Sequence, residues 1–254
     1  MNTAKRWLVG LLIIIGLVAS GPLLMLASDE IRLGTPWHAA DRSTAGLAPA
    51  AADTPQAVVQ VYAARAFSWR GLFAVHTWVA TKPAGAQTYT VHQVTGWNSP
   101  ALTSRIGMPD RRWVGATPDM LLDLRGPVAE QAIRSIEKVL PQYPFPDYRI
   151  WPGPNSNTFT AWLVRRVPEL QVELPSTAIG KDYLAGDLIS AAPSGTGYQL
   201  SLYGAVGLLI AWDEGIEINL FGLVWGINPT HPALKWPGLG TITSDDIYPR
   251  EQEL

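Results

Sequence analysis

The feature that most constrains this chain is an uncharged apolar run at residues 7–27, WLVGLLIIIGLVASGPLLMLA. As a helix, about 20 such residues cross the roughly 30 Å hydrocarbon core of a bilayer once. Lys5 and Arg6 precede the run, whereas Asp29 and Glu30 follow it. The positive-inside rule therefore predicts a single pass through the inner membrane, with a cytoplasmic N-terminus and the rest of the chain in a bacterial periplasm.

A cleaved signal peptide is the alternative interpretation of the same run. The tripeptide VAS before Gly21 is a passable small-residue cleavage site. The apolar run continues beyond that site, however, and this continuation favours an uncleaved anchor. A lipoprotein signal is excluded because the chain contains no cysteine.

The composition excludes several classes of function. The 254 residues carry a formal net charge of only -2, and no segment concentrates Lys and Arg, so we expect no nucleic-acid partner. The absence of cysteine rules out disulfides, thiolate metal sites and a thiol nucleophile. The histidines and carboxylates show no metal-ligand spacing, so we expect no metal and no cofactor. The oligomeric state is not determined by these features.

The distribution of residue types predicts four segments. We assign residues 1–28 to the membrane anchor and residues 29–56, which are rich in Ala, Pro, Ser and Thr, to a linker. Residues 57–187 form the predicted α+β core. Residues 188–254 form a Gly-rich β extension packed on that core.

Local patterns predict an α+β fold in which an antiparallel sheet packs on helices. Residues 57–66, 72–80 and 88–97 are dense in Val, Tyr, Trp and Thr, as strands are. Residues 127–140 begin with proline and repeat apolar side chains near the helical period, which predicts an amphipathic helix. A second helix is expected at about 157–167, where a proline follows it.

The C-terminal region contains two apolar runs on either side of the tripeptide DEG. We expect a β-hairpin there, with its turn at residues 213–215. A second membrane span is disfavoured because it would include Asp213 and Glu214, with Glu217 close by. Residues 204–210 and 220–225 are apolar enough to lie against lipid or against the core.

The segment PNSNTF opens the second predicted helix with good helix-capping residues. The plain structural interpretation is that Asn155 or Ser156 satisfies the free N–H groups of the first turn. The order of the surrounding elements suggests more. A strand carries His76 in VHTW, a second strand returns, a helix follows, and a Pro/Gly-rich approach leads to NSNTF.

This order resembles the circularly permuted branch of the NlpC-type papain-like superfamily, which includes lecithin retinol acyltransferase and the PPPDE peptidases. In that branch a strand histidine comes first, and the nucleophilic cysteine follows at a helix N-terminus in sequences like NCNTF. The resemblance covers about residues 58–167 and implies that His76 matches the histidine and Ser156 the cysteine. The whole chain, including AVHTW, WPGPNSNTF, IGKDY and PSGTGYQ, also resembles a family of membrane-anchored bacterial proteins of unknown function.

The resemblance implies specific roles for these residues. Ser156 would be the nucleophile, favoured by the positive end of the helix dipole, and His76 would accept its proton. A third polar residue would come from the next strand, and the strand register decides between Gln93, which we prefer, and His92. The remaining candidates are ligand contacts beside this pair: Asn155, Asn157, Tyr62 and Trp78.

The serine leaves two hypotheses open. A serine hydroxyl is too weak an acid to form the resting ion pair of a cysteine site, so it must be deprotonated during attack by a neutral, adjacent His76. The protein is then a Ser/His hydrolase or acyltransferase that acts on an amide or ester of cell-wall peptide or lipid. Alternatively, it is a catalytically inactive scaffold that binds a peptide, glycan or lipid in the cell envelope.

Overall fold

The computed structural model describes residues 3–31 and 33–243. Within these residues the chain forms three α-helices and two antiparallel sheets. The helices are α1 (Thr3–Ala27), α2 (Pro127–Val139) and α3 (Ser156–Val164). The structure thus confirms an N-terminal apolar helix and antiparallel sheets accompanied by few helices.

The first sheet holds the predicted histidine strand at its centre. Its five strands are β1 (Val58–Arg65), β2 (Val75–Lys82), β3 (Tyr89–Val94), β4 (Leu102–Gly107) and β5 (Asp119–Arg125). Their spatial order is β4-β3-β2-β1-β5, and all neighbours pair antiparallel. Both faces of β1 and β2 are covered, which explains why their sequences are rich in Val, Ala and aromatic residues instead of strictly alternating with polar ones.

The two faces of the first sheet belong to different clusters. Val59, Val61 and Val79 face α2 and α3, where they pack with Ile136 and Phe159. The opposite face carries an aromatic cluster with four members: Tyr62, Trp78, Tyr89 and Trp113. Because successive strand residues point to opposite faces, this division fixes the direction of every side chain on β2.

The predicted linker packs against the aromatic side of the first sheet. Thr44 Oγ1 donates to the Asp110 carboxylate over 2.8 Å, and the backbone N–H of Leu47 donates to it over 2.7 Å. Tyr89 OH donates to the carbonyl of Pro49 over 3.0 Å. These contacts hold at least this part of the segment on the domain surface.

The second sheet is a meander of short strands. Its members are β6 (Ile189–Ala191), β7 (Gly197–Leu202), β8 (Val206–Ala211), β9 (Gly215–Leu220), β10 (Leu223–Asn228), β11 (Ala233–Trp236) and β12 (Gly240–Thr243). The seven strands lie in sequence order. β8 and β9 form the hairpin expected around DEG, but its turn lies at residues 212–214, because Gly215 already pairs with Ala211.

Buried charges attach the second sheet to the rest of the chain. Lys181 contacts Asp182 and Glu217, and Lys235 contacts Glu217 and Glu173. Burial by itself would lower the pKa of Lys181, but the two carboxylates raise it overall. Burial by itself would raise the pKa of Glu217, but the two lysines lower it overall. Lys181 and Glu217 therefore both keep their charges in this buried group.

The C-terminal turns of α1 pack on the β11–β12 hairpin. Trp236 Nε1 donates to Ser20 Oγ over 2.9 Å. Gly21 lies so close to the hairpin that a Cβ there would stand 1.9 Å from the carbonyl oxygen of Pro237. Among the described residues, α1 is the helix long and apolar enough to cross a membrane, a property that signal sequences share.

The predicted elements are present with displaced ends. β2 begins at Val75 and not near residue 72 because Ser68–Leu72 forms a 3₁₀ helix. α3 ends at Val164, and residues 165–166 continue only as a turn. The predicted strand at 88–97 ends at Val94. The sequence patterns did not predict β4, β5 or most of the second meander, and the four domain boundaries stay predictions.

Candidate functional site

Asn155 caps α3, and Ser156 is the first residue of the helix. Asn155 Oδ1 accepts hydrogen bonds from the backbone N–H groups of Asn157, at 3.0 Å, and Thr158, at 3.1 Å. Thr158 Oγ1 accepts in return from the N–H of Asn155, which completes a capping box. Asn155 Nδ2 donates to the carbonyls of Ile150 and Ile179. The polar atoms of the Asn155 side chain are thus occupied within the protein.

Thr77 and Asn157 dock the N-terminus of α3 on β2. Thr77 Oγ1 donates to Asn157 Oδ1 over 3.0 Å and lies 2.9 Å from Thr160 Oγ1. Asn157 Nδ2 donates to the carbonyls of Val75 and Ile179. The side chain of Thr77 therefore points to the face of the sheet on which α3 lies.

His76 points to the opposite face. It neighbours Thr77 on β2, and its ring stacks on Trp113 with the centroids 3.5 Å apart and the planes 9° apart. His76 Nε2 lies 3.1 Å from Gln93 Oε1. Among the described residues no hydrogen bond joins His76 to Ser156, and the sheet separates the two side chains.

Burial keeps the imidazole of His76 neutral. It lowers the pKa of His76 to about 3, and the hydrogen bond to Gln93 opposes this effect only in part. Because the amide oxygen of Gln93 accepts, Nε2 carries the proton of the neutral ring. The imidazole has the protonation state that a general base needs, but it lies among aromatic rings on the face away from Ser156.

The register of β3 separates Gln93 from His92. His92 pairs with Val79 and so faces the helices, where its Nε2 lies 2.9 Å from Thr81 Oγ1 and its Nδ1 2.8 Å from Ser104 Oγ. Burial lowers the pKa of His92 to about 4. The structure therefore brings Gln93, and not His92, to His76.

Tyr62 and Trp78 are core residues of the aromatic cluster. Their rings stack with centroids 5.5 Å apart, and both side chains are buried. Tyr62 OH donates to Gln60 Oε1, and Trp78 Nε1 donates to the carbonyl of Pro109. Their polar groups, like those of Asn155 and Asn157, already have protein partners. Ligand contact by these four residues stays a prediction.

A cavity of about 330 Å³ opens elsewhere, where the first sheet meets the second near the end of α1. Val75, Leu121 and Leu239 contribute apolar wall, and Asp119 and Glu173 contribute carboxylates. These residues come from separate segments without a shared motif. We find no sequence signal that would have identified this site.

The lining of the cavity carries two carboxylates, Asp119 and Glu173, and one cation, Arg65, which already has protein partners. Arg65 donates to the carbonyls of Gly238 and Leu239 and to the carboxylate of Glu30. Burial raises the pKa of Asp119, with Glu30 adding to the effect and Arg65 opposing it. Burial also raises the pKa of Glu173, and the contact with Lys235 opposes that rise. Because these two carboxylates are partly removed from water, they favour a ligand that carries a positive charge.

Fold and site together define an α+β protein with two antiparallel sheets, an N-terminal apolar helix and an acidic cavity between the sheets. Residues 56–183 match the model of a family described as "Protein of unknown function (DUF3750)", and the chain belongs to this family. The matched residues include the first sheet, α2 and α3. No curated protein and no solved structure matches the chain.

Proposed function

We propose that this protein is a membrane-anchored, non-catalytic binding protein of the bacterial cell envelope and that its ligand occupies the acidic cavity. In this proposal α1 is a single-pass anchor in the inner membrane, with Lys5 and Arg6 on the cytoplasmic side and the sheets in the periplasm. The cavity of about 330 Å³ carries the proposal, since this volume lies in the range of small-molecule sites.

The chemistry of the cavity favours the amine of an aminophospholipid headgroup. The carboxylates of Asp119 and Glu173 can accept hydrogen bonds from an ammonium group, and charge-assisted bonds of this kind are the strongest in proteins. Leu239, in the turn that contacts Arg65, also lines the cavity. The same β11–β12 hairpin contacts α1, so the cavity lies near the membrane-facing end of the molecule, where headgroups are available.

Lipid retention by the full-length protein tests this function. The protein is purified in a lipid-free detergent and titrated with phosphatidylethanolamine or phosphatidylcholine of identical acyl chains, and bound lipid is counted by native mass spectrometry. We expect at least tenfold tighter binding of phosphatidylethanolamine, about 1.4 kcal/mol, because only its ammonium has N–H donors. The double variant Asp119→Asn, Glu173→Gln should lose this preference.

A matched control is Glu137→Gln, which removes one carboxylate from the exposed face of α2. It should bind both lipids as the unmodified protein does. Equal binding of the two lipids by the unmodified protein, or an unchanged preference in the double variant, would contradict the proposed ligand.

The second candidate is a papain-like Ser/His hydrolase or acyltransferase acting on an amide or ester of cell-wall peptide or lipid. Its supporting observation is that Ser156 stands at the N-terminus of α3, where backbone N–H groups favour an anion. The permuted papain-like core stays a prediction. Catalysis would require β2 and α3 to rearrange, because His76 and Ser156 lie on different sides of the sheet.

Labelling with a serine-directed fluorophosphonate decides between the two candidates. We expect no label on Ser156 in the full-length protein. A label that disappears in Ser156→Ala and is strongly reduced in His76→Gln would favour the hydrolase over the binding protein.

A further inference from the structure

The outward face of the second sheet is apolar and exposed. Along β7 the outward side chains are Tyr198, Leu200 and Leu202, and Tyr198 is 73% exposed. Along β9 the corresponding residues include Ile216 and Ile218, which are 41% and 48% exposed. A water-facing sheet normally shows the opposite arrangement, with polar side chains outward.

The register joins these residues into one continuous surface. Leu200 pairs with Leu208, Leu208 pairs with Ile218, and Ile218 pairs with Trp225, so one apolar row crosses four strands. Every side chain that β7 to β11 present on this face is apolar or aromatic: Tyr198, Leu200, Leu202, Val206, Leu208, Ile210, Ile216, Ile218, Leu220, Leu223, Trp225, Ile227, Leu234 and Trp236. We call this set the apolar sheet face.

The residues on the opposite face of the second sheet explain why that face, and not the apolar one, packs on the body of the protein. It places Gln199, Glu217, Asn219 and Lys235 against the body of the protein, all of them buried. Asp182, on the body side, accepts hydrogen bonds from Gln199 and Asn219. These polar and charged groups have their partners on the inner side, so the apolar side chains must face outward.

The apolar sheet face is large for a water-exposed surface. The four six-residue strands β7 to β10 are each about 20 Å long and lie about 4.8 Å apart, so they alone cover about 400 Å². Contiguous apolar patches of this size are among the largest that soluble monomers expose, and they are often functional. Its rim adds exposed aromatic side chains in the connecting turns, with Tyr203 60%, Trp212 67% and Phe221 70% exposed. Two of these side chains are Tyr and Trp, the residue types that are enriched where protein meets the headgroup region of a bilayer.

The apolar sheet face adjoins α1. Trp236 alternates with the buried Lys235 and therefore belongs to the apolar sheet face, and its indole donates to Ser20. Ile242 pairs with Leu234 and extends the face across β12. Ser20 lies within the apolar run of α1. A bilayer that surrounds this helix therefore reaches the edge of the sheet.

We propose that the apolar sheet face lies on the bilayer that contains α1, with its side chains in the boundary between headgroups and acyl chains. The hydrogen bonds of β7 to β11 are satisfied by neighbouring strands, so only apolar side chains need to enter the lipid. The protein thus contacts the membrane through a helix and a sheet. This inference rests on the proposed anchoring of α1 in the bilayer, but it does not depend on the ligand of the acidic cavity.

Single cysteines in the cysteine-free chain test the proposal. Leu200→Cys and Ile218→Cys place a bimane fluorophore on two strands of the apolar sheet face. Ile106→Cys is the matched control, because Ile106 is an apolar residue that is 74% exposed on β4 of the other sheet. The full-length protein is reconstituted in phosphatidylcholine/phosphatidylglycerol vesicles that contain nitroxide-labelled lipid.

We expect nitroxide quenching at positions 200 and 218 to be at least twofold stronger than at position 106. Quenching as weak as at position 106 would overturn the proposal. So would fluorophore shielding that rises with protein concentration without lipid quenching, since a second copy would then cover the face. The two labels lie on different strands, β7 and β9, so the test remains decisive if one of the two variants does not fold.

Discussion

Thr77 Oγ1 donates a hydrogen bond to Asn157 Oδ1 over 3.0 Å, and this contact joins the centre of the first sheet to the start of α3. It determines which residues of β2 face the helix. Since Thr77 faces α3, the neighbouring His76 must face Trp113 and Gln93 on the other side. His76 and Ser156, which the order of the motifs pairs, therefore lie on different sides of the sheet.

Replacing the cap of α3 should destabilise the protein more than replacing the serine. Asn155→Ala removes the capping box. It also removes the amide group that donates to the carbonyls of Ile150 and Ile179. We expect a loss of about 1–2 kcal/mol of unfolding free energy. Ser156→Ala should cost less than about 0.5 kcal/mol, because the Ser156 hydroxyl makes no hydrogen bond with the described residues. Denaturant unfolding in mild detergent measures both, and a larger cost for Ser156→Ala would contradict this assignment.

A larger side chain at the contact between α1 and the β11–β12 hairpin should push the two elements apart. A Cβ at Gly21 would stand 1.9 Å from the backbone oxygen of Pro237, so Gly21→Leu cannot be accommodated without movement. We expect a lower thermal midpoint and faster proteolysis of the hairpin. Gly10→Leu is the control on the same helix, since nothing lies within 4 Å of a Cβ there. Equal behaviour of the two variants would show that the helix does not pack on the hairpin.

Stability should fall as the pH decreases below the ordinary pKa of histidine. Burial lowers the pKa of His76 to about 3 from 6.5, so between these values the unfolded chain binds a proton that the folded chain does not. The stabilisation is complete above pH 6.5 and is lost as the pH falls towards 3. At about 1.36 kcal/mol per pH unit, His76 should account for about 2 kcal/mol between pH 7 and pH 5.

His76→Gln should reduce the slope of unfolding free energy against pH over this interval. Part of the slope should remain, because burial also lowers the pKa of His92, to about 4. His38→Gln, at an exposed position in the segment before β1, is the control and should leave the slope unchanged. An unchanged slope in His76→Gln would indicate that this imidazole is not buried.

Removing one charge from the buried ionic cluster should be costly. Glu217→Gln leaves Lys181 and Lys235 without their shared carboxylate, and breaking a buried pair in this way costs about 3–5 kcal/mol. Because the lysines lower the pKa of Glu217, its contribution is present above its ordinary pKa and is lost as the pH falls through the lowered value. Glu137→Gln on exposed α2 should have little effect. Thermal unfolding at pH 7 distinguishes the two, and equal midpoints would contradict the role of the cluster.

The elements that the sequence predicted correctly are those encoded by local patterns. The uncharged run predicts α1, the helical period predicts α2, and DEG between apolar runs predicts the β8–β9 hairpin. The capping residues before α3 were also visible, although sequence reasoning left Asn155 and Ser156 as alternatives. Each of these signals acts within a few residues of chain.

The candidate site was less predictable because it depends on long-range pairing. A shift of one residue in the register of β3 would exchange Gln93 and His92 between the two faces of the sheet. The acidic cavity joins Asp119 and Glu173 from distant segments, and no local pattern records their proximity. The motif order around His76 and Ser156 carries no information about the face from which each side chain projects.

The sequence by itself determined the apolar helix, the strand-rich composition and the absence of thiol chemistry, because these properties follow from residue type and short spacing. Only the tertiary structure decided that His76 and Ser156 lie on opposite sides of a sheet and that the second sheet turns its charges inward. The physical reason is that strand side chains alternate between two faces, and the partners that each face meets come from distant parts of the chain.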